Sequence, residues 1–168
     1  MEAMAVTDWD PARYAAFRSL RLRPALDLLA QVPDLPAGEV VDLGCGDGAV
    51  AAALATRFPG RRLTGVDASP AMLDKARGYD ATVLADIAAW QPAAVPALIF
   101  SNAALHWLGD HAMLMPRLAR HLAPGGTLAV QMPANFRAPS HMLLHGIAAR
   151  LFPDRFGPAP APPVHPAR

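Results

Sequence analysis

Three closely spaced glycines follow the first long apolar run of the chain. In the stretch VVDLGCGDGAV, Asp42 precedes Gly44, Gly46 and Gly48. Glycines allow a tight turn and let backbone N–H groups approach a ligand, and the N-terminus of a following helix assists them. This glycine loop, residues 44–48, therefore predicts a site for a nucleotide or a carboxylate. It does not identify the ligand, because the dinucleotide fingerprint GxGxxG/A fits the same letters.

Acidic and amide side chains narrow the choice of ligand. Asp67 stands about twenty residues beyond the glycine loop, where a carboxylate can accept both ribose hydroxyls of NAD or of an adenosyl cofactor. Asp42 would repel the pyrophosphate of NAD and attract an ammonium group. Asp86 could accept from an adenine amino group, and Asn102 would lie beneath the methionine part of the ligand. We therefore expect S-adenosylmethionine, which carries an ammonium and a sulfonium but no phosphate, and keep an NAD-dependent oxidoreductase as the alternative.

These side chains need a scaffold that brings strand ends together. Runs rich in β-forming residues alternate with helical ones, which is typical of an α/β fold with a parallel sheet covered on both faces. The ligand of such a sheet lies beyond the carboxyl ends of the strands, where the glycine loop and the acids stand. Five strands are predicted: Val40–Leu43, Arg62–Asp67, Thr82–Ala85, Leu98–Asn102 and Thr127–Met132.

Helices are expected between the strands and ahead of them. Ser69 and Pro70 form an N-cap and a first-turn proline. Pro116 means that the helix after the fourth strand either starts late or bends. The predicted helices are Pro11–Leu22, Pro24–Ala30, Gly48–Phe58, one that begins after Ser69, and Asp110–Leu122.

Length, charge and cysteine content limit the function classes. A chain of 168 residues fits one domain, and a net charge of +1 gives no field that would steer nucleic acid. Cys45 is the single cysteine, and the start MEAMAVTDWD does not resemble a signal peptide, so we expect a cytoplasmic protein. The residues show no metal-ligand spacing, and we expect neither a metal nor a protein partner.

The uncharged stretch Ile87–Gly109 is not expected to cross a membrane. Pro92 and Pro96 would interrupt a helix through it, and side chains such as Asn102 would lack partners in lipid. We expect a loop, a buried strand and a turn there.

Three regions are expected along the chain. Residues 1–31 form a helical segment of the same domain, residues 32–152 form the cofactor-binding domain, and residues 153–168 form a disordered tail. The last eleven residues hold five prolines and show no apolar periodicity.

Five segments of the chain resemble the motif series of class I S-adenosylmethionine-dependent methyltransferases. They are VVDLGCGDG, TGVDASPAMLDKAR, ADIAAW, LIFSNAALHWL and LAPGGTLAVQMP. Within that class the chain resembles the trans-aconitate 2-methyltransferases in particular, from WDPARYAAF through NAALHWLGDH to QMPANFRAPSHMLLH. The resemblance covers about the first 150 residues. It implies methyl transfer to one carboxylate of trans-aconitate, which gives a monoester.

The resemblance also implies a doubly wound, Rossmann-like sheet in the order 3-2-1-4-5. The family's sixth and seventh strands have no counterpart before the chain ends in PAPAPPVHPAR, so we expect a truncated form with an exposed fifth strand, weak cofactor binding and slow transfer. Two further departures are His106, where Gln usually precedes Trp107, and Asp47, where Pro or a similar residue is usual.

Further side chains complete the predicted site. A carboxylate acceptor is ionised at neutral pH, so its transfer needs alignment and cationic partners rather than a general base. The expected cofactor residues are Asp42, Gly44, Cys45, Gly46, Asp67, Ala68, Met72, Asp86, Ile87, Asn102 and Trp107. The expected acceptor residues are Trp9, Tyr14, Arg21, His106 and Arg137, with Arg23 as a further candidate cation. A packing role is the alternative for the cysteine and the aromatic residues. A different small-molecule acceptor, or a cofactor-binding fragment without activity, is the alternative for the whole chain.

Overall fold

Five parallel strands form a sheet in the order β3-β2-β1-β4-β5. The computed structural model describes residues 18–134 and 138–156 of the chain. The predicted α/β fold, the sheet order and all five strands are confirmed, with small differences at the strand ends. The strands are β1 (Glu39–Leu43), β2 (Leu63–Asp67), β3 (Ala81–Leu84), β4 (Pro96–Asn102) and β5 (Thr127–Gln131).

Helices and one 3-10 turn connect and cover the strands. The hydroxyl of Ser69 caps α3 as predicted, accepting the backbone N–H of Met72 at 3.4 Å. Asp110 caps α4, which begins directly after it and includes Pro116. The helices are α1 (Arg18–Ala30), α2 (Ala51–Arg57), α3 (Pro70–Leu73), α4 (His111–Ala119) and α5 (Pro139–Leu151), and the 3-10 turn spans Leu105–Trp107.

Three helix predictions were wrong in their bounds, and the one for Asp110–Leu122 ends early, at Ala119. α1 runs through Pro24 without a break, whereas two separate helices were predicted around that proline. Its buried side chains Ala25 and Leu29 pack in the core, and this packing outweighs the donor that the proline removes. α2 begins after the predicted start because Gly48 has φ +86°, outside the right-handed helical region. The part of the first predicted helix before residue 18 lies outside the described residues.

The centre of the sheet is buried on both faces. Side chains alternate along each strand, so Val40 and Phe100 join one apolar cluster with α1 and α2, while Val41 and Ile99 join a second cluster with α4. Both clusters include members of β1 and β4, which explains why Val40, Val41 and Leu43 of β1 and residues 97–100 of β4 are apolar. The core therefore fixes the strand ends that carry the predicted site.

α5 is a helix for which the sequence reasoning made no prediction. Pro139 stands at its first turn, and the side chains of Leu143, Leu144, Ile147 and Leu151 are exposed. β5, which precedes it in the chain, lies at the edge of the sheet.

Ile87–Gly109 contains a loop, the buried strand β4 and the 3-10 turn, as predicted. Across residues 18–134 and 138–156, no helix is long and apolar enough to span a membrane. The predicted regions 1–31, 32–152 and 153–168 stay predictions, and residues 157–168 lie outside the described part.

Candidate functional site

Asp67 connects the ends of two neighbouring strands. Its Oδ2 accepts the backbone N–H of Gly46 at 2.8 Å, and its Oδ1 accepts the N–H of Ser69 at 2.8 Å. The glycine loop is also held to β2 by the carbonyl of Val66, which accepts the N–H groups of Gly44 and Cys45 at 2.8 and 2.9 Å. Asp67 and the glycine loop therefore lie together at the carboxyl ends of β1 and β2, as the sequence predicted.

The three glycines of the loop have different surroundings. A Cβ on Gly44 would overlap the Cβ of Ala104, and a Cβ on Gly48 would lie 2.7 Å from the carbonyl oxygen of Arg77. Gly46 has φ +54°, and a Cβ built there has no neighbour within 4 Å. Packing within the protein thus explains the first and the third glycine. Gly46 alone of the three faces open space that a ligand could fill.

Asp42 lies beneath the glycine loop rather than on the surface. Asp42 is 2% exposed, and its Oδ2 accepts a hydrogen bond from the hydroxyl of Tyr79 at 2.6 Å. Burial raises the pKa of Asp42 to about 6, the hydrogen bond from Tyr79 lowers the pKa, and the nearby charge of Asp67 raises it. Asp42 can therefore act on a ligand through its charge from beneath the loop. Sequence reasoning missed Tyr79, because the letters GYD indicate only a turn.

Asp86 and Ile87 begin the loop that follows β3. Asp86 is exposed, and its Oδ1 accepts the N–H of Ala88 at 2.8 Å, so this carboxylate stabilises a turn. The side chain of Ile87 is buried and lies 3.5 Å from the position of a Cβ on Gly44. The guanidinium of Arg117 donates to the carbonyls of Ile87 and Trp90 and so ties the loop to α4. Sequence reasoning also missed this arginine.

Asn102 presents an unpaired polar atom at the carboxyl end of β4. Its Oδ1 is buried and has no hydrogen-bond partner. The next residue, Ala103, has φ +53°, which is uncommon for a residue with a side chain. Ser101, on the opposite face of β4, donates from its hydroxyl to the carbonyl of Leu43 at 2.7 Å and so joins β4 to β1. An acceptor without a partner at this strand end is available to a donor on a ligand.

His106 and Trp107 lie on the 3-10 turn after β4. Their rings are 4.6 Å apart, and Trp107 is 81% exposed. Burial, together with the nearby His111, lowers the pKa of His106, whose Nδ1 is buried without a partner. Met72 and Ala68, near the end of β2, are exposed.

Cys45 is a packing residue in this conformation. The residue is buried, and burial together with the charges of Asp42 and Asp67 raises the pKa of its thiol to about 12. A thiol with such a pKa stays protonated near neutral pH and is a poor nucleophile.

The expected acceptor residues are only partly described. Trp9, Tyr14 and Arg137 lie outside the described residues, and Arg21 is placed in α1 without a description of its side chain. The side chain of Arg23 is exposed and lies 3.8 Å from a carboxylate oxygen of Asp27. These assignments therefore stay predictions.

A cavity lies at the other end of the sheet. Its volume is about 520 Å³, and its lining includes Arg61, Leu63, Gly78 and Asp80, near the amino ends of β2 and β3. The guanidinium of Arg61 is already engaged by the carbonyls of the 35–38 loop. We prefer the carboxyl ends of the strands as the ligand site, because the polar groups of Asp67, Gly46 and Asn102 lie at those ends. Within residues 18–134 and 138–156, no group of three His, Cys, Asp or Glu side chains could hold a metal ion.

The chain is similar to known methyltransferases in sequence and in fold. A family model described as a methyltransferase domain matches residues 14–159. A trans-aconitate 2-methyltransferase of Paracidovorax citrulli is 51% identical over 160 residues, which are 92% of this chain and 62% of that protein. The same enzyme of Rhizobium meliloti is 49% identical over 90% of this chain and 59% of its own length.

A solved structure is similar in fold as well as in sequence. The crystal structure of an S-adenosylmethionine dependent methyltransferase from Mesorhizobium loti has a TM-score of 0.56 and is 31% identical, covering 67% of this chain and 53% of that chain. The chain spans roughly three fifths of the length of the curated relatives that it matches.

Proposed function

The chain belongs to the methyltransferase domain family, and on that premise we propose that it binds S-adenosylmethionine and transfers a methyl group to a carboxylate of trans-aconitate. The choice of substrate rests on sequence similarity. About half of the aligned residues are identical to those of trans-aconitate 2-methyltransferases, over some nine tenths of the chain. The product is a monomethyl ester, and the acceptor is a small acidic molecule.

The described side chains fit the proposed cofactor. Each oxygen of Asp67 accepts one backbone N–H and keeps a lone pair for a ribose hydroxyl. The open space above Gly46 gives room for the ligand beside the loop. The unpaired Oδ1 of Asn102 offers an acceptor for its ammonium group. The charge of Asp42, beneath the loop, favours a cation over a pyrophosphate.

Methyl transfer to a carboxylate makes few demands on acid–base groups. S-adenosylmethionine, when bound, supplies a methyl group activated by a positively charged sulfur. An acceptor carboxyl has an ordinary pKa of about 4 and is ionised near neutral pH, so no general base is needed. The chain has to hold the two ligands in line and exclude water, and alignment of this kind contributes several kcal/mol to catalysis. The protonated thiol of Cys45 is consistent with a mechanism that uses no nucleophilic side chain.

Two measurements test the proposal. Calorimetric titration should show binding of S-adenosylhomocysteine, the demethylated product, and no comparable binding of NADH. Incubation with radiolabelled S-adenosylmethionine should label trans-aconitate as an ester, and its isomer cis-aconitate serves as the matched acceptor. The Paracidovorax citrulli relative is the positive control.

The two measurements can contradict the cofactor and the substrate separately. Binding of NADH without S-adenosylhomocysteine would contradict the cofactor. Labelling of another acceptor in preference to trans-aconitate would contradict the substrate. Binding of S-adenosylhomocysteine without transfer to any acceptor would support a cofactor-binding role without activity.

A further inference from the structure

We propose that Tyr79 is a positioning residue, which holds Asp42 ionised and oriented beneath the glycine loop so that cofactor affinity depends on their hydrogen bond and on pH. The inference rests on the proposed function, because it concerns binding of S-adenosylmethionine. Tyr79 acts through Asp42 and does not itself need to touch the ligand.

The hydrogen bond crosses a strand of the sheet. Tyr79 precedes β3, Asp42 lies in β1, and β2 runs between them. The residue of β2 that pairs with Asp42 is Gly65. A Cβ on Gly65 would lie 3.0 Å from two ring carbons of Tyr79 and 3.0 Å from the Sγ of Cys45. The missing side chain at this strand position is what lets the tyrosine ring lie across β2 and reach the acid.

Tyr79 also packs against the end of the glycine loop. Its ring carbon Cε2 lies 3.3 Å from the position of a Cβ on Gly48, and its ring packs against the apolar cluster beside α2. One side chain therefore leaves little room for a side chain at Gly48 and donates a hydrogen bond to the acid beneath the loop. Loop position and carboxylate orientation are coupled through this ring.

Asp42 has no cationic partner among the described residues. Three titratable groups face it: the hydroxyl of Tyr79, the carboxylate of Asp67 on β2 and the thiol of Cys45 in the loop. Its neighbour on β4 is the apolar Phe100. The salt bridges of the described residues involve other acids. A buried carboxylate without a countercharge is costly, so a ligand that brings a positive charge to the loop is attracted to it.

The direction of the pH effect follows from these contacts. The pKa of Asp42 is raised to about 6, even though the hydrogen bond from Tyr79 lowers it. Above that pH the carboxylate is ionised and attracts a cation, and below that pH it is neutral. Cofactor affinity should therefore fall as the pH falls through about 6. Removal of the tyrosine hydroxyl raises the pKa further, so the fall should begin at a higher pH.

The first experiment uses Tyr79→Phe in the full chain. Carbon NMR of the Asp42 carboxyl should show an upward shift of its titration in the variant, without any ligand. Calorimetry with S-adenosylmethionine should show about threefold weaker binding than wild type near pH 6.5, and nearly equal binding near pH 8. Comparison at the same pH cancels the titration of the ligand itself. Thr56→Ala, which removes a hydroxyl bonded within α2, is the matched control and should match wild type at both pH values.

A second variant tests the same hydrogen bond in case Tyr79→Phe does not fold. Gly65→Ala places a methyl group against the tyrosine ring and the thiol, and it should reproduce the upward shift by displacing the hydroxyl. If the affinity of wild type for S-adenosylmethionine stays constant from about pH 5.5 to 7.5, the inference is wrong, whatever the variants show. So would an Asp42 titration that is the same in wild type and both variants overturn it. Absence of binding at every pH would contradict the proposed function, whereas the ligand-free NMR titration would still decide whether Tyr79 controls Asp42.

Discussion

The carboxylate of Asp67 accepts the backbone N–H of Gly46 at 2.8 Å across a separation of 21 residues. The second oxygen of Asp67 accepts the N–H of Ser69, so one side chain fixes both the glycine loop and the turn before α3. Charge-assisted bonds of this kind are stronger than those between neutral groups. The residue assigned to the ribose therefore also shapes the loop that would approach the rest of the ligand.

Asp67→Ala should weaken S-adenosylhomocysteine binding by about 1–3 kcal/mol, through the lost ribose bonds and the released loop. Calorimetry measures the affinity, and circular dichroism confirms that the variant is folded. Asp74→Ala, at the exposed end of α3, is the matched control. Unchanged affinity in Asp67→Ala would mean that this carboxylate does not hold the ribose.

Substitutions at two glycines should separate ligand access from folding. Gly46→Val fills open space, so we expect loss of S-adenosylhomocysteine binding with a largely preserved fold, apart from roughly 1–2 kcal/mol of backbone strain at its positive φ. Gly44→Ala overlaps Ala104 and should lower the free energy of unfolding more strongly. Urea denaturation and calorimetry on both variants measure the two effects. Binding retained by Gly46→Val would show that the loop does not face the ligand.

The strand ends could be predicted from the sequence because they depend on local patterns. Apolar runs bounded by glycines and prolines defined the strands, and parallel order then brought Asp67 to the glycine loop. The start of α2 was predicted too early, since nothing in the letters shows that Gly48 adopts a positive φ. Periodicity predicts which elements form, while the bounds depend on contacts made after folding.

The contacts that hold the site together could not be predicted. Tyr79 reaches Asp42 across 37 residues, and Arg117 reaches the carbonyls of Ile87 and Trp90 across 30 and 27 residues. Each contact depends on side-chain direction and on a neighbour that leaves space, such as Gly65. The sequence reasoning assigned both Asp42 and Trp107 to the cofactor, whereas the structure buries the first within β1 and exposes the second.

Arg117→Met should loosen the loop that carries Asp86. The guanidinium donates to two loop carbonyls, and their loss should lower the free energy of unfolding by about 1–3 kcal/mol. Hydrogen exchange should become faster at residues 86–91 in particular. Arg120→Met, on the exposed end of α4, is the control, and the loop assignment fails if both variants exchange alike.

Asp42→Asn should stabilise the fold while it weakens cofactor binding. Because burial raises the folded-state pKa of Asp42 to about 6 from the ordinary 3.8, the folded protein binds a proton more tightly than the unfolded chain does. The free energy of unfolding of wild type should therefore fall as the pH rises between these values, since the ionised carboxylate is buried without a countercharge. Asparagine carries no such penalty, so its gain over wild type should be larger near pH 7.5 than near pH 4.5, by roughly 1–2 kcal/mol. Urea denaturation at the two pH values measures this difference, and Thr56→Ala, which removes no titratable group, is the control. A gain that does not depend on pH would show that the charge of Asp42 costs the folded protein nothing, and the acid would then have to be compensated in the fold by a group other than Tyr79.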